Sequence, residues 1–160
     1  MVRINVKDYY MEIAEVVSLR SNCIKRKCGA VIVRENMIVS CGYNGTPKGI
    51  KNCDEGGCKR CSDTNIKSGT NLETCYCSHA EENAIVQAAY NGISTKDCEI
   101  YLTNYPCLQC SKLMINAGIK KIYYKEEYYS PETLPLLNEA KIKIYQLNKN
   151  KDIDNESEII

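Results

Sequence analysis

Ser78-His79-Ala80-Glu81, answered downstream by Pro106-Cys107-Leu108-Gln109-Cys110, decides how the rest of the chain is read. His79 is the sole histidine of the sequence. Imidazole nitrogen and cysteine thiolate are zinc donors, and three such ligands with an open fourth position are the usual arrangement where zinc does chemistry. Cys107 and Cys110 are spaced i, i+3, so one helix face presents both thiols. Pro106 suits the first position of that helix, where a missing N–H costs nothing. Thiolates at a helix N-terminus are favoured by its dipole. His79 opens an apolar-periodic run, Ala80 to Ala89, that predicts a second helix. A strand between them, Glu99 to Thr103, gives a right-handed crossover. Both helix N-termini then meet at one edge of a sheet, where α/β folds bind ligands.

Glu81 lies two residues beyond His79. Zinc lowers the pKa of a bound water to about 7, and a nearby carboxylate can take that proton and deliver it elsewhere. The plainer role is a capping box, because Ser78-x-x-Glu81 fits the start of a helix. The adjacent histidine and the Pro-Cys-x-x-Cys run favour the proton carrier. A purely structural zinc ribbon has no use for His-Ala-Glu.

The length suits one α/β domain, expected over residues 1–147, with a polar tail at 148–160. The 21 basic and 20 acidic residues nearly balance. Nothing therefore argues for a nucleic-acid-binding surface. No apolar run approaches a membrane span, and no signal-peptide pattern opens the chain. Eleven cysteines, an odd number, point away from a secreted disulfide scaffold. They favour a reducing, cytoplasmic setting with metal-bound thiols.

Asp8 is read as the cap of a first helix, Tyr9 to Leu19. Gly29 to Val33 and Met37 to Cys41 form a hairpin joined by Arg34-Glu35-Asn36. Gly42-Tyr43-Asn44-Gly45-Thr46-Pro47 ends the strand in a turn that aims Asn44 into the pocket. A polar, cysteine-dense insertion spans about 48–77 and cannot bury enough apolar surface to order itself. A metal ion could supply that ordering energy. Strands Cys98 to Thr103, Lys121 to Tyr124 and Lys141 to Leu147 alternate with helices Cys107 to Ala117 and one beginning at Ser130-Pro131-Glu132. The order implies a three-layer α/β/α sandwich around a five-stranded mixed sheet.

With these segments in place, the chain resembles the deoxycytidylate (dCMP) deaminase branch of the cytidine deaminase superfamily. The resemblance rests on Leu19-Arg20-Ser21-Asn22-Cys23, Gly29-Ala30-Val31-Ile32-Val33, Gly42 to Pro47, His79-Ala80-Glu81-Glu82-Asn83-Ala84-Ile85, Thr103 to Cys110, and Asn116-Ala117-Gly118-Ile119-Lys120. His-x-Glu with Pro-Cys-x-x-Cys is the signature of zinc deaminases of nucleobases. The resemblance implies a catalytic Zn2+ on His79, Cys107 and Cys110 and hydrolytic attack at C4 of cytosine. Glu81 carries the proton to N3 and then to the departing amine, giving dUMP, the thymidylate precursor, and ammonia. The Ala80 backbone N–H and Asn44 contact the nucleotide. The resemblance further implies a homohexamer activated by dCTP with Mg2+ and inhibited by dTTP. It also implies a second, structural zinc, matched here by Cys23, Cys53, Cys58 and Cys75. Cys28, Cys61 and Cys77 lie close enough in sequence to replace one of these four.

Three other readings compete. One keeps the chemistry and changes the substrate to dCTP, a nucleoside, or a pterin or riboflavin precursor. Lys48, Lys51, Arg26 and Tyr128 are phosphate-binding candidates, and their scatter selects none of them. Another is a zinc-stabilised interaction module of the same fold without catalysis, against which an intact Glu81 counts. The last, a nucleic-acid editor, lacks a basic stripe.

Overall fold

The computed structural model describes residues 2–147; the tail expected at 148–160 lies outside them. Helix α1 (Val6–Ser18) begins three residues before the expected start at Tyr9, because Asn5 rather than Asp8 is its cap. Asn5 Oδ1 accepts the Lys7 N–H at 2.8 Å, and Asp8 instead sits in the first turn, where the helix dipole favours an acid. Strands β1 (Gly29–Arg34) and β2 (Met37–Tyr43) form the hairpin. Its two-residue turn, Glu35-Asn36, holds both residues at positive φ, as a turn matched to strand twist requires. After a long connection come α3 (Ala80–Tyr90), β3 (Glu99–Asn104), α4 (Leu108–Asn116), β4 (Lys121–Glu126), α5 (Thr133–Glu139) and β5 (Lys143–Gln146). The last strand starts two residues later than expected, since Lys141 adopts a left-handed φ of 58° in closing α5.

The sheet order is β2-β1-β3-β4-β5. β1 pairs antiparallel with both β2 and β3, whereas β3, β4 and β5 run parallel. Strand alternation sorts the core into two layers. Ala30, Ile32, Ile100, Leu102, Ile122, Tyr124 and Ile144 pack with Ala80 and Ala84 of α3, Met114 of α4 and Leu137 of α5. Val31, Val33, Tyr101, Tyr123 and Tyr145 face the other way, with Tyr10, Met11 and Ala14 of α1. The result is the three-layer α/β/α sandwich on a mixed five-stranded sheet. In the absence of Phe and Trp, tyrosine supplies the aromatic bulk of the second layer. Tyr101 and Tyr123 stack at 4.7 Å and Tyr123 and Tyr145 at 5.2 Å between centroids. Each such pair contributes about 0.5–1.5 kcal/mol beyond simple burial.

Two glycines set how close the helices lie on the sheet. A methyl group on Gly29 would fall 2.0 Å from the Ala14 carbonyl oxygen of α1. On the opposite face, one on Gly42 would fall 2.4 Å from the Ala80 carbonyl oxygen and the Ala84 nitrogen of α3. Between β2 and α3 the chain forms only short elements: 3-10 turns at Cys53–Glu55 and Leu72–Thr74, and the one-turn helix α2 (Lys59–Ser62). Its interior is a cluster of cysteines rather than of aliphatic side chains.

Candidate active site

α3 and α4 start at the same end of the sheet and bring His79 and the two downstream cysteines together. His79 caps α3 from an extended backbone, and its N–H donates to Glu82 Oε2 at 3.2 Å. The capping interaction thus falls one residue later than the Ser78/Glu81 pair that the sequence suggests. Ser78 is engaged elsewhere: its backbone N–H and C=O pair with Gly45 at 2.9 and 3.2 Å. Glu81 is left free of capping duty. Cys107 caps α4, its Sγ accepting the Cys110 N–H at 3.5 Å. Pro106 therefore stands before the cap instead of at the first helical position, and its C=O accepts from the Thr133 hydroxyl at 3.2 Å.

His79 Nδ1 lies 3.5 Å from Cys107 Sγ and 3.3 Å from Cys110 Sγ. With Zn–N near 2.0–2.1 Å and Zn–S near 2.3 Å, a tetrahedral ion spaces such donors about 3.6 Å apart. The three residues therefore fit zinc in both donor chemistry and spacing. They perturb one another strongly. The Cys110 thiol and then the His79 ring hold the Cys107 thiol down to about 4, while the hydrogen bond to Cys107 lifts His79 to about 9. Cys110 is pushed up by its bond to Cys107 and by burial. A thiolate beside an imidazolium is the charge pattern in which a dication replaces protons. Glu81 is buried, and burial raises its carboxyl above the ordinary range against the opposing pull of His79.

Glu81, His79, Ala80 and Cys107 line a cavity. Ala80 is the first residue of α3, so its N–H has no acceptor within the helix. Asn44 also lines the cavity, yet most of its amide is committed. Oδ1 accepts from the Ser21 hydroxyl at 2.8 Å and the Cys28 N–H at 2.7 Å, and Nδ2 donates to the Arg26 carbonyl at 2.8 Å. Asn44 thus fastens the end of β2 to the 21–28 loop. Arg26 and Tyr128 reach the cavity, whereas Lys48 and Lys51 do not. The insertion supplies one wall through Arg60, whose guanidinium donates to the carbonyls of Lys67 and Thr70 and so holds that loop in place.

Cys23, Cys53, Cys58 and Cys75 do not converge on a single point. They divide into two groups, Cys23-Cys53-Cys61-Cys77 and Cys58-Cys61-Cys75-Cys77. Cys61 and Cys77, held in reserve in the sequence reading, belong to both. The signal for them was local: Cys58-Lys59-Arg60-Cys61 repeats the i, i+3 spacing of Cys107 and Cys110, and Cys75-Tyr76-Cys77 puts two thiols on one side of an extended chain. Cys28 lines the cavity outside both groups.

Fold and site together define a metal-dependent deaminase framework. Residues 4–126 match the cytidine and deoxycytidylate deaminase zinc-binding region, and the chain belongs to that family. It is 42% identical over 139 residues to the deoxycytidylate deaminase of Schizosaccharomyces pombe, an alignment covering 86% of this chain and 42% of that protein. It is 36% identical to ComE operon protein 2 of Bacillus subtilis, over 96% of this chain and 77% of that one. The chain thus spans less than half the length of the fission-yeast relative. Among solved structures, the dCMP deaminase of cyanophage S-TIM5 in complex with dCMP and dUMP superposes with a TM-score of 0.76 at 32% identity. That match covers 92% of this chain and all of the phage chain.

Proposed function

We propose that this protein hydrolyses dCMP to dUMP and ammonia. The observation that carries the reading is buried Glu81 beside the His79-Cys107-Cys110 donor set on the floor of a cavity. Likeness to deoxycytidylate deaminases over most of the chain supports the choice of base and sugar.

Zinc held by His79 Nδ1, Cys107 Sγ and Cys110 Sγ supplies Lewis acidity that makes water a nucleophile near neutral pH. The chain does the rest. Glu81 accepts a proton from the attacking water and passes it to N3 of the cytosine; it then takes the remaining proton from the new C4 hydroxyl and delivers it to the amine, which leaves as ammonia as the C4–N bond breaks and the C4 carbonyl forms. The Ala80 N–H, at the positive end of α3, donates to the pyrimidine carbonyl. Asn44, which lines the cavity, would contact the nucleotide through the amide hydrogen that Arg26 does not take. Arg26 and Tyr128 receive the 5′-phosphate, the charge that separates a nucleotide from a nucleoside.

The reading extends to control by dCTP with Mg2+ as activator and dTTP as inhibitor, in a homohexamer in a reducing cytoplasm. Family resemblance in Gly42 to Pro47 supports it. So does the place of that segment, whose Asn44 ties a cavity wall to the loop carrying Arg26. Eleven free thiols are compatible with that compartment. Among the described residues, no helix is long and apolar enough to cross a membrane.

The test is ammonia release from dCMP, dCTP, deoxycytidine and cytidine, each with and without added dCTP and Mg2+. Turnover should be strongest on dCMP, and Arg26→Ala should raise KM for dCMP far more than for deoxycytidine. Zinc-loaded protein that turns over none of the four refutes the substrate. Activation absent on dCMP refutes only the regulatory part.

A further inference from the structure

The cysteine cluster of the insertion has the wrong number of ligands for one metal ion. Six sulfurs from Cys23, Cys53, Cys58, Cys61, Cys75 and Cys77 meet in one place, four of them at most 6% exposed. They form two quartets, and within each quartet all sulfurs lie inside 4.8 Å of one another. The sulfur–sulfur separations are 3.9 Å for Cys23–Cys61, 3.8 Å for Cys58–Cys75 and 3.7 Å for Cys61–Cys75. A tetrahedral zinc with Zn–S near 2.3 Å has sulfur–sulfur edges of about 3.8 Å. Both quartets therefore have the dimensions of a closed tetrathiolate site, and they share the Cys61–Cys77 edge. One ion would use four sulfurs and leave two thiols of the cluster beside it, at least one of them buried. Two tetrahedra joined along an edge need six sulfurs, the number present.

We propose that this cluster is a binuclear site in which two zinc ions are each held by four thiolates, with Cys61 and Cys77 bridging them. Cys23 and Cys53 complete one ion's shell; Cys58 and Cys75 complete the other's. Binding releases the thiol protons to solvent and leaves six thiolates opposing two dications, a net negative cluster. Its surroundings suit that charge. Arg60 Nη1 approaches the bridging Cys61 Sγ at 3.8 Å, and the Tyr76 N–H donates to Cys58 Sγ at 3.3 Å. Such donors to metal-bound sulfur orient and stabilise the ligands. The apolar core of the insertion is made of these cysteines, so metal binding energy here becomes folding energy. The consequence reaches the candidate active site. Bridging Cys77 lies two residues before His79, and the same insertion carries Arg60 to the cavity wall.

This inference does not depend on the deaminase reading, and its test uses no substrate. The full chain is produced with zinc and weighed by native mass spectrometry. Three zinc ions per chain are expected, two in the cluster and one on His79, Cys107 and Cys110. His79→Ala should lower the count by one and keep the pair. Replacement by cadmium-113 then locates the bridge without any variant in the cluster. The β-protons of Cys61 and Cys77 should each correlate with two cadmium resonances, and those of Cys23, Cys53, Cys58 and Cys75 with one. A cluster that holds a single ion in the wild-type chain, with every cysteine coupled to at most one cadmium, overturns the proposal. So does a folded chain with no metal in the cluster.

Discussion

Gly42→Ala separates strand propensity from helix placement, because the two predict opposite signs. Alanine in place of glycine inside a strand ordinarily stabilises, by about 0.5–1 kcal/mol through lost backbone freedom. Here the new methyl would sit 2.4 Å from the Ala80 oxygen and the Ala84 nitrogen, and 2.9 Å from the Asn83 carbonyl carbon. Ordinary contact begins about 1 Å farther out, as expected for packed cores. The obstructing atoms are helix backbone, so no rotamer change relieves the clash. α3 must move off the sheet by most of that distance. Overpacking of this kind costs about 1–3 kcal/mol, and the upper end applies where backbone resists. For a domain of this size that lowers Tm by roughly 5–10 °C. The start of α3 carries His79, Ala80 and Glu81, so the shift also misplaces the proposed metal ligand and the proposed proton carrier. A 1 Å misplacement costs about 100-fold in rate. The assay combines thermal unfolding, zinc content and ammonia release from dCMP. Cys41→Ala, the exposed neighbour on the other face of β2, serves as control and should behave as wild type. A Gly42→Ala protein as stable and as active as that control would refute the reasoning.

Three further outcomes follow from the same structure. Glu81→Gln should retain zinc and lose about 100- to 10,000-fold in turnover, the range for a general acid–base group. Cys107→Ala should lose the catalytic metal itself, so equal zinc content in the two variants would contradict the assigned roles. The buried tyrosines give a pH dependence. Burial raises Tyr10, Tyr101 and Tyr124 above the usual phenol range and pushes Tyr123 up to about 12. The folded state thus holds protons that the unfolded state releases near pH 10. The stability they contribute is full below about pH 10 and is lost as pH rises toward the folded values. Ultraviolet titration of the twelve tyrosines should show a late-ionising class in native protein that vanishes in guanidinium. Superimposable native and denatured curves would contradict this.

Most of the framework was legible from local pattern. His-Ala-Glu with Pro-Cys-x-x-Cys pointed to the three donors that the fold brings together and to the buried Glu81 beside them, because ligand chemistry is written in residue type and helical spacing. Short β-rich apolar runs bounded by turn residues identified the five strands, because β-branched and apolar side chains suit a pleated, buried surface whatever the strand's neighbours. Helix starts were less legible. Asn5 competes with Asp8, and His79 with Ser78, and the winner depends on which backbone groups the rest of the fold engages; Ser78 is held by Gly45. The insertion was the least legible. Its chain path is set by which thiols meet, and nothing in the order of the cysteines says that Cys61 and Cys77 stand between the other four.

The sequence by itself determined the donor chemistry of the proposed metal site and the succession of elements, since both depend on residue type and on short local motifs. The tertiary structure alone decided the strand order β2-β1-β3-β4-β5, the use of Asn44 as a fastening, the convergence of Arg26 and Tyr128 on the cavity, and the sharing of two cysteines between two quartets. Each of these is a contact between residues far apart in the chain. Such contacts form only where packing of the whole sheet and its helices repays the entropy of closing the intervening loops.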